Sequence, residues 1–175
     1  MTRNFITVII FIFFLFLRTD VLAKEATEAG IATTSAQKID YQLPYHGILP
    51  DSPIYFLRAL RDKIIDFLTQ DALKKSEFYL LQADKRLSAG VALAERGKNG
   101  LAVTTISKGE NYLEMAIIKL GEAYKKGQDA NSVGERIKQA VNKHEEVLLK
   151  LGQIGLEKEI QRVGVFKNSV RSFGQ

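Results

Sequence analysis

Long amphipathic segments joined by short glycine-containing links fill the sequence from residue 51 onward. In each segment apolar residues recur at steps of three and four, the spacing that places them on one face of a helix. Helix-ending residues such as Gly97, Gly127 and Gly152 close these segments. No stretch of comparable length shows the alternation of a half-buried strand. The pattern therefore predicts five helices, over about residues 51–69, 71–97, 101–126, 130–152 and 156–171.

The shortness of the links sets the expected architecture. Short connections between long helices favour antiparallel neighbours, so we expect an all-α, elongated, up-and-down bundle of four to five helices. The last segment leaves two alternatives, because residues 156–173 combine an apolar stripe with basic side chains such as Lys158 and Arg171. This segment can close the bundle, which we expect, or it can lie on an anionic lipid surface.

All three prolines of the chain lie between positions 44 and 53. Pro44 and Pro50 fix their own backbone angles and hold the residues before them extended. An extended segment whose side chains include Leu43 and Tyr45 carries too much apolar surface to stand in solvent. We therefore predict a strap over residues 41–50 that packs on the bundle, rather than a recognition peptide that awaits a partner.

The residues after the strap predict how the first helix begins. Asp51 is a good N-cap, and Pro53 is tolerated in a first turn. Pro50 can pack on Tyr55 as a hydrophobic staple. We expect the charged residues of this helix to face water and its apolar stripe to face the bundle. That stripe consists of Leu57, Leu60, Ile64 and Phe67 or Leu68.

The first residues have the three-part form of a secretory signal. Arg3 precedes the unbroken apolar run Phe5–Leu17, and Ala23 provides a small residue at the end. The run is shorter than the roughly 20 apolar residues that a membrane-spanning helix needs. We therefore expect a signal peptide over residues 1–23, cleavage between Ala23 and Lys24, and an extracytoplasmic protein, secreted or periplasmic. The alternative is an uncleaved segment that tethers the protein to the membrane.

Small and polar residues over 24–40 predict a flexible linker before the helical domain, which should extend over residues 41–175. The chain has no cysteine, so disulfides and a lipoprotein-type lipid attachment are both excluded. The net charge is +5, and the basic residues are interleaved with acidic residues along every helix. This arrangement is not typical of a nucleic-acid-binding protein. These features leave the oligomeric state open.

The sequence shows no convincing catalytic or metal-binding motif. The only two histidines, His46 and His144, belong to no Glu-x-x-His or His-Glu-x-x-His motif. His144 falls on an apolar stripe, which predicts a core or groove histidine with one satisfied hydrogen bond rather than a metal ligand. Carboxylate pairs such as Glu110 and Glu114 arise easily on helices this rich in charge. We therefore predict no catalytic residue, no cofactor and no metal, and interpret the protein as non-enzymatic.

A group of basic residues near the start of the helical region is a candidate binding surface. It consists of Arg58, Arg61, Lys63, Lys85 and Arg86. Such a group could attract anionic envelope polymers or lipid headgroups. The alternative, which we favour, is that these charges lie on the water-facing side of ordinary amphipathic helices.

The stretch LPYHGILPDSPIYFLRALRDKI, continued by LTQDALKKSEFYLLQADKRLSAGVALAERGK, resembles a bacterial family known as domain of unknown function 5667. The likeness covers about residues 41–98 and continues more loosely through LAVTTISKGENYLEMA. Phe56 and Ala72 depart from it, since we would expect proline there in relatives. The resemblance implies an exported or membrane-tethered helical protein, and it transfers no activity and no functional residue. The matching positions are Leu43, Pro44, Gly47, Pro50, Asp51, Ser52, Pro53, Tyr55, Leu57, Arg58, Arg61, Lys63, Ala83, Asp84, Lys85, Arg86 and Leu87.

These features lead to three functional hypotheses. The first is a non-enzymatic, extracytoplasmic binding or scaffold module of the cell envelope, whose partner is an unknown protein or an anionic envelope polymer. The second is a membrane-surface protein that docks on anionic lipid through the basic segment 156–173. The third, an enzyme that acts on envelope polymers, depends only on scattered carboxylates. The sequence favours the first hypothesis and does not identify the partner.

Overall fold

The computed structural model describes residues 41–171 and residue 173. No strand occurs in this described part of the chain, and the predicted all-α class is confirmed. The predicted signal peptide over 1–23 and linker over 24–40 lie outside the described residues and stay predictions. The elements are α1 Tyr55–Leu68, α2 Ala72–Glu95, α3 Asn99–Lys125, α4 Asn131–Lys150, a short 3₁₀ helix Gly152–Ile154, and α5 Glu157–Arg171.

Helices α2 to α5 pack together around the main core. The most extensive pairing joins α2 and α3, and α5 packs on both α4 and α3. Side chains of all four helices are removed from water in this core, which is the principal source of stability for such a domain. Among the described helices, none is both long and apolar enough to cross a membrane. The fully buried core side chains include Leu80, Leu87, Ile106, Leu113, Leu120, Ile137, Val141, Leu148 and Val163.

Helix α5 closes the bundle through its apolar stripe, for which the sequence allowed either bundle closure or contact with lipid. Leu156 and Val163 are fully buried, and Val170 is almost so. One of its basic side chains is also engaged, because Lys167 donates a 2.5 Å hydrogen bond to Glu145 of α4. The alternative of docking this stripe on lipid is therefore wrong, since packing against α3 and α4 already uses it.

Helices α1 and α2 begin differently. Asp71 caps α2, because its carboxylate accepts a 2.9 Å hydrogen bond from the backbone N–H of Lys74. The predicted cap at Asp51 is wrong, since α1 starts further along the chain, after Ile54, and has no side-chain cap. The carboxylate of Asp51 is drawn away from the helix start by Lys98, which donates a 2.8 Å hydrogen bond to it.

The strap packs on the bundle through some of its predicted side chains and not through others. Tyr41 and Leu43 lie against the main core. Leu49 is buried in a smaller cluster with Leu93 at the end of α2. Tyr45 is 77% exposed, so its predicted packing on the bundle is wrong. Its ring lies beside that of its chain neighbour His46 instead, at 4.5 Å between ring centroids and tilted by 34°.

The remaining predicted residues of the strap and helix start differ in their exposure to solvent. Pro44, Pro50 and Tyr55 are half-buried, and Pro53 is exposed in the turn before α1. Pro53 therefore precedes the helix instead of occupying its first turn. The hydrophobic staple between Pro50 and Tyr55 stays a prediction.

Candidate functional site

Helix α1 is oriented with its apolar side outward. The expectation that its apolar stripe faces the bundle is wrong: Leu57 and Leu60 are each 54% exposed and Phe67 is 78% exposed. The buried residue of this helix is instead the charged Asp62, at 5% exposed. We call the exposed apolar set the outer face of α1; it comprises Phe56, Leu57, Leu60, Ile64, Phe67 and Leu68.

The strap explains why the charged side of α1 turns inward. The guanidinium of Arg58 donates hydrogen bonds to the backbone carbonyls of His46 and Ile48, the second at 3.0 Å. Gly47 lies between them with a φ of 70°, and a Cβ there would stand 3.3 Å from the Arg58 guanidinium. Glycine thus permits both the left-handed backbone and the close approach. Asp62 lies one turn along the helix, 3.9 Å from the Arg58 guanidinium.

A second polar contact fixes the far end of α1 on α2. Asp66 accepts a 2.5 Å hydrogen bond from the Tyr79 hydroxyl and lies 3.6 Å from the Lys75 ammonium. Burial and the bond to Asp66 both raise the pKa of Tyr79, which keeps the hydroxyl protonated as a donor. Both ends of the inner side are therefore held by polar groups, and rotating α1 to bury its apolar side would break these contacts.

The fold gives different surroundings to the five basic residues of the candidate binding surface. Arg58 is only 10% exposed at its side chain and serves the strap. Arg86 donates a 2.7 Å hydrogen bond to Gln82, and its guanidinium lies 4.2 Å from the ring centroid of Tyr112. Lys85 is half-buried on α2. Only Arg61 and Lys63 are well exposed, and both lie on α1.

A buried polar cluster, which we call the Asp84–His144–Glu110 cluster, joins α2, α4 and α3 in the core. His144 is fully buried. Its Nδ1–H donates a 2.8 Å hydrogen bond to Glu110, and its Nε2–H donates a 3.1 Å bond to Asp84. The prediction of a core histidine is confirmed, while the single hydrogen bond expected for it becomes two.

The charges of this cluster favour an imidazolium. Burial lowers the pKa of His144, but the charge of Glu110 and the hydrogen bonds to Asp84 and Glu110 outweigh it and raise the pKa to about 9. The second carboxylate oxygen of Glu110 is buried and has no hydrogen-bond partner among the described residues. The site therefore holds one cation between two acidic side chains, with one acceptor left over.

The strap reaches this cluster from outside. The Tyr41 hydroxyl donates a 2.6 Å hydrogen bond to the second oxygen of Asp84. Burial, followed by the charge of Asp84, raises the pKa of Tyr41, so its hydroxyl stays a donor. The first residue of the strap is thus coupled to the polar centre of the core.

The arrangement suits structural work better than catalysis. Both ring nitrogens of His144 are occupied, and a fully buried imidazole offers no contact to a substrate. Within the described ranges, no group of three histidine, aspartate or glutamate residues has a geometry that could hold a metal ion. Removing one member of the cluster would leave a buried charge unpaired, so the cluster favours the arrangement of α2, α3 and α4 in which its three members meet.

The sequence carries a signal for this cluster in the positions of its members. Each member continues an apolar stripe: Asp84 follows Leu80 by four residues, and Glu110 follows Ile106 by four. Polar residues at three such positions on three helices should have been paired with one another, because buried polar groups need partners. The separate pairing of Glu110 with Glu114 on one helix missed this relation.

Comparison with known proteins gives one result. The model of the family described as Domain of unknown function (DUF5667) matches residues 47–157, which is more than half of the chain. The match contains all of α1 to α4 and the Asp84–His144–Glu110 cluster, and it leaves Tyr41 and nearly all of α5 outside. The comparison with curated proteins found no match, and neither did the comparison with solved structures. The expected resemblance is confirmed over a longer segment than predicted, and the chain belongs to the DUF5667 family.

Proposed function

We propose that this protein is an exported, non-enzymatic helical module of the cell envelope that binds its partner through the outer face of α1. The observation that carries the proposal is the exposure of this face, where Leu57, Leu60, Ile64, Phe67 and Leu68 are each at least half exposed. Single exposed apolar residues are ordinary on protein surfaces, but a contiguous helical patch of them marks a site of interaction.

The free energy gained by burying apolar side chains favours a binding role for this face. Burying a side chain such as Leu or Phe contributes about 1.5–3 kcal/mol, so several of them together can supply most of a specific association. The inner side of α1 is committed to the strap and α2 through Arg58 and Asp66. The outer face can therefore be covered only from outside the bundle.

The non-enzymatic part of the proposal has separate support. The most unusual group of titratable side chains, around His144, is enclosed by the core and internally paired. The export part is supported by the three-part pattern of residues 1–23, with its apolar run and small terminal Ala23.

Site-specific photocrosslinking in cells that produce the full chain tests the binding face. A photoreactive amino acid at Phe67 probes the outer face, and the same amino acid at Gln139, exposed on α4, is the matched control. The reagent reacts with both lipid and protein, so the readout is a discrete adduct mass of either kind. We expect adducts at position 67 and none at position 139. Absence of adducts at 67, or equal labelling at both positions, would contradict the proposed function.

A further inference from the structure

We infer that the partner of the outer face is an anionic lipid surface, on which α1 lies parallel to the membrane plane. This inference rests on the proposed function and names its partner. It moves membrane contact from α5, whose stripe is buried, to α1, whose stripe is open.

The distribution of charge on α1 is the first support. Its two acidic residues are turned toward the protein: Asp62 is 5% exposed, and Asp66 is held by Tyr79 and Lys75. Its two well exposed charged residues, Arg61 and Lys63, are both basic. Arg61 pairs with Asp62 at 2.9 Å and remains 58% exposed, whereas Lys63 makes no hydrogen bond or ion pair within residues 41–171. An apolar face flanked by exposed basic side chains is complementary to a surface that is apolar below and anionic above.

The positions of these residues give the second support. Lys63 precedes Phe67 by four residues, and Arg61 follows Leu57 by four, so each cation stands one helical turn from a residue of the outer face. Lysine and arginine can keep their charged ends in the headgroup region while their stems lie along apolar surface. Phenylalanines occupy both ends of the face, at Phe56 and Phe67, over a helix of roughly 21 Å. A helix of this composition fits the boundary between headgroups and acyl chains.

The same charges disfavour a second copy of the chain as the partner. Two outer faces brought together would place Arg61 and Lys63 of both copies around one apolar contact. Arg61 of each copy is already paired with Asp62, but no acidic residue of α1 neutralises Lys63, because Asp66 is held by Tyr79 and Lys75 on the inner side. Like charges at the edge of a desolvated contact are unfavourable, whereas anionic headgroups supply the missing counter-charge.

Tryptophan fluorescence with brominated lipids tests the inference, because the chain has no tryptophan of its own. The full chain carrying Phe67→Trp is mixed with vesicles of phosphatidylcholine containing about 30% phosphatidylglycerol, a composition that supplies the negative surface potential of an anionic leaflet. Bromine on the acyl chains quenches a tryptophan only at short range. We expect quenching at position 67 that weakens at high salt and with pure phosphatidylcholine. The control is Leu149→Trp on α4, 61% exposed, which should not be quenched.

A charge variant tests the electrostatic part. In the Phe67→Trp background, Lys63→Gln should weaken vesicle binding about five-fold, since each basic residue near an anionic surface contributes roughly 1 kcal/mol. Lys158→Gln removes the same charge from an exposed position on α5 and should leave the binding unchanged. Equal effects of the two substitutions on vesicle binding would show that Lys63 on α1 makes no specific contribution, and would overturn the electrostatic part of the inference.

Two results would overturn the lipid partner without touching the proposed function. The first is an unquenched tryptophan at position 67 with anionic vesicles, combined with protein adducts in the photocrosslinking at Phe67. The second is a tryptophan that becomes shielded, without vesicles, only at concentrations where the chain self-associates, which would assign the face to a second copy. Absence of both quenching and adducts would contradict the two proposals together.

Discussion

His144 is the residue at which three helices of the bundle meet. It donates one hydrogen bond to α3, through Glu110, and one to α2, through Asp84. Asp84 in turn accepts a bond from Tyr41 of the strap. Because a buried ion pair costs desolvation, its main contribution is to define which arrangement of helices is satisfied. It also makes the stability of the fold depend on pH.

The first prediction concerns that pH dependence. The pKa of His144 is about 9 in the folded chain and 6.5 in the unfolded chain, so the folded state holds its proton more tightly. This stabilisation is complete below pH 6.5 and is lost as the pH rises through 9. The free energy of unfolding should therefore fall by about 3 kcal/mol between about pH 6 and about pH 9.5, as measured by denaturant titration.

Matched histidine variants isolate this effect. His144→Gln should be strongly destabilised near pH 6, and the difference from the wild type should shrink toward pH 9. His46→Gln is the control, because the His46 ring lies in the strap, where it contacts its neighbours Gly47 and Tyr45. If His46→Gln rather than His144→Gln removed the pH dependence, the role of the Asp84–His144–Glu110 cluster would be refuted.

The second prediction tests the link between strap and core. Tyr41→Phe removes the 2.6 Å hydrogen bond to Asp84 while it keeps the ring against the core. We expect a loss of about 1–2 kcal/mol in the free energy of unfolding, because Asp84 loses one of its donors. Tyr45→Phe deletes the same hydroxyl from a side chain that is 77% exposed and should change stability very little. Equal stabilities of the two variants would show that the strap does not depend on Tyr41.

At the residue scale, the sequence predicts which side chains are buried better than it predicts their hydrogen-bond partners. The position of His144 on an apolar stripe correctly predicts a core histidine. Its partners Glu110 and Asp84 lie 34 and 60 residues away, so no local spacing could identify them. The cap at Asp71 was predictable because its acceptor and donor are three residues apart.

At the scale of elements, the pairing of α2 with α3 depends on close approach of their backbones. A Cβ on Gly90 of α2 would lie 2.3 Å from Cγ1 of Ile106 on α3, and that side chain is fully buried. Glycine is intrinsically unfavourable inside a helix, so its presence here reflects the contact rather than local preference.

The third prediction concerns this contact. Gly90→Ala should destabilise the protein by about 1–2 kcal/mol, because the overpacking cost exceeds the roughly 1 kcal/mol gained from helix propensity. Gly164→Ala is the matched control, since a Cβ at that position in α5 meets nothing within 4 Å. It should stabilise the protein by up to about 1 kcal/mol in thermal or denaturant unfolding. A stabilising Gly90→Ala would mean that α2 and α3 are not so closely packed.

Element boundaries were largely predictable, and the orientation of α1 was not. Periodicity and glycine links are local features, so the bounds of α2 to α5 agree with prediction to within a few residues. The start of α1 was misplaced because Asp51 pairs with Lys98, 47 residues away. The amphipathic pattern predicts its apolar stripe inside, yet the contacts of Arg58 with the strap and of Asp66 with Tyr79 reverse this orientation.

At the scale of the whole molecule, the buried interior and the outer face are built from different helices. The interior is formed by α2 to α5, where residues such as Leu113 and Leu120 are wholly buried. The outer face belongs to α1, and the bundle leaves it uncovered. Binding through the outer face should therefore leave the interior unchanged, because the two share no side chains.

The measurement that tests this account most directly is acrylamide quenching of the Phe67→Trp chain, without vesicles and at a concentration where light scattering shows a monomer. The account predicts quenching similar to that of Leu149→Trp, since Phe67 and Leu149 are 78% and 61% exposed. Phe166→Trp, at a core position 6% exposed, gives the protected limit. A tryptophan at position 67 as protected as the one at position 166 would mean that the chain itself covers the apolar side of α1, and the outer face would not exist as a binding surface.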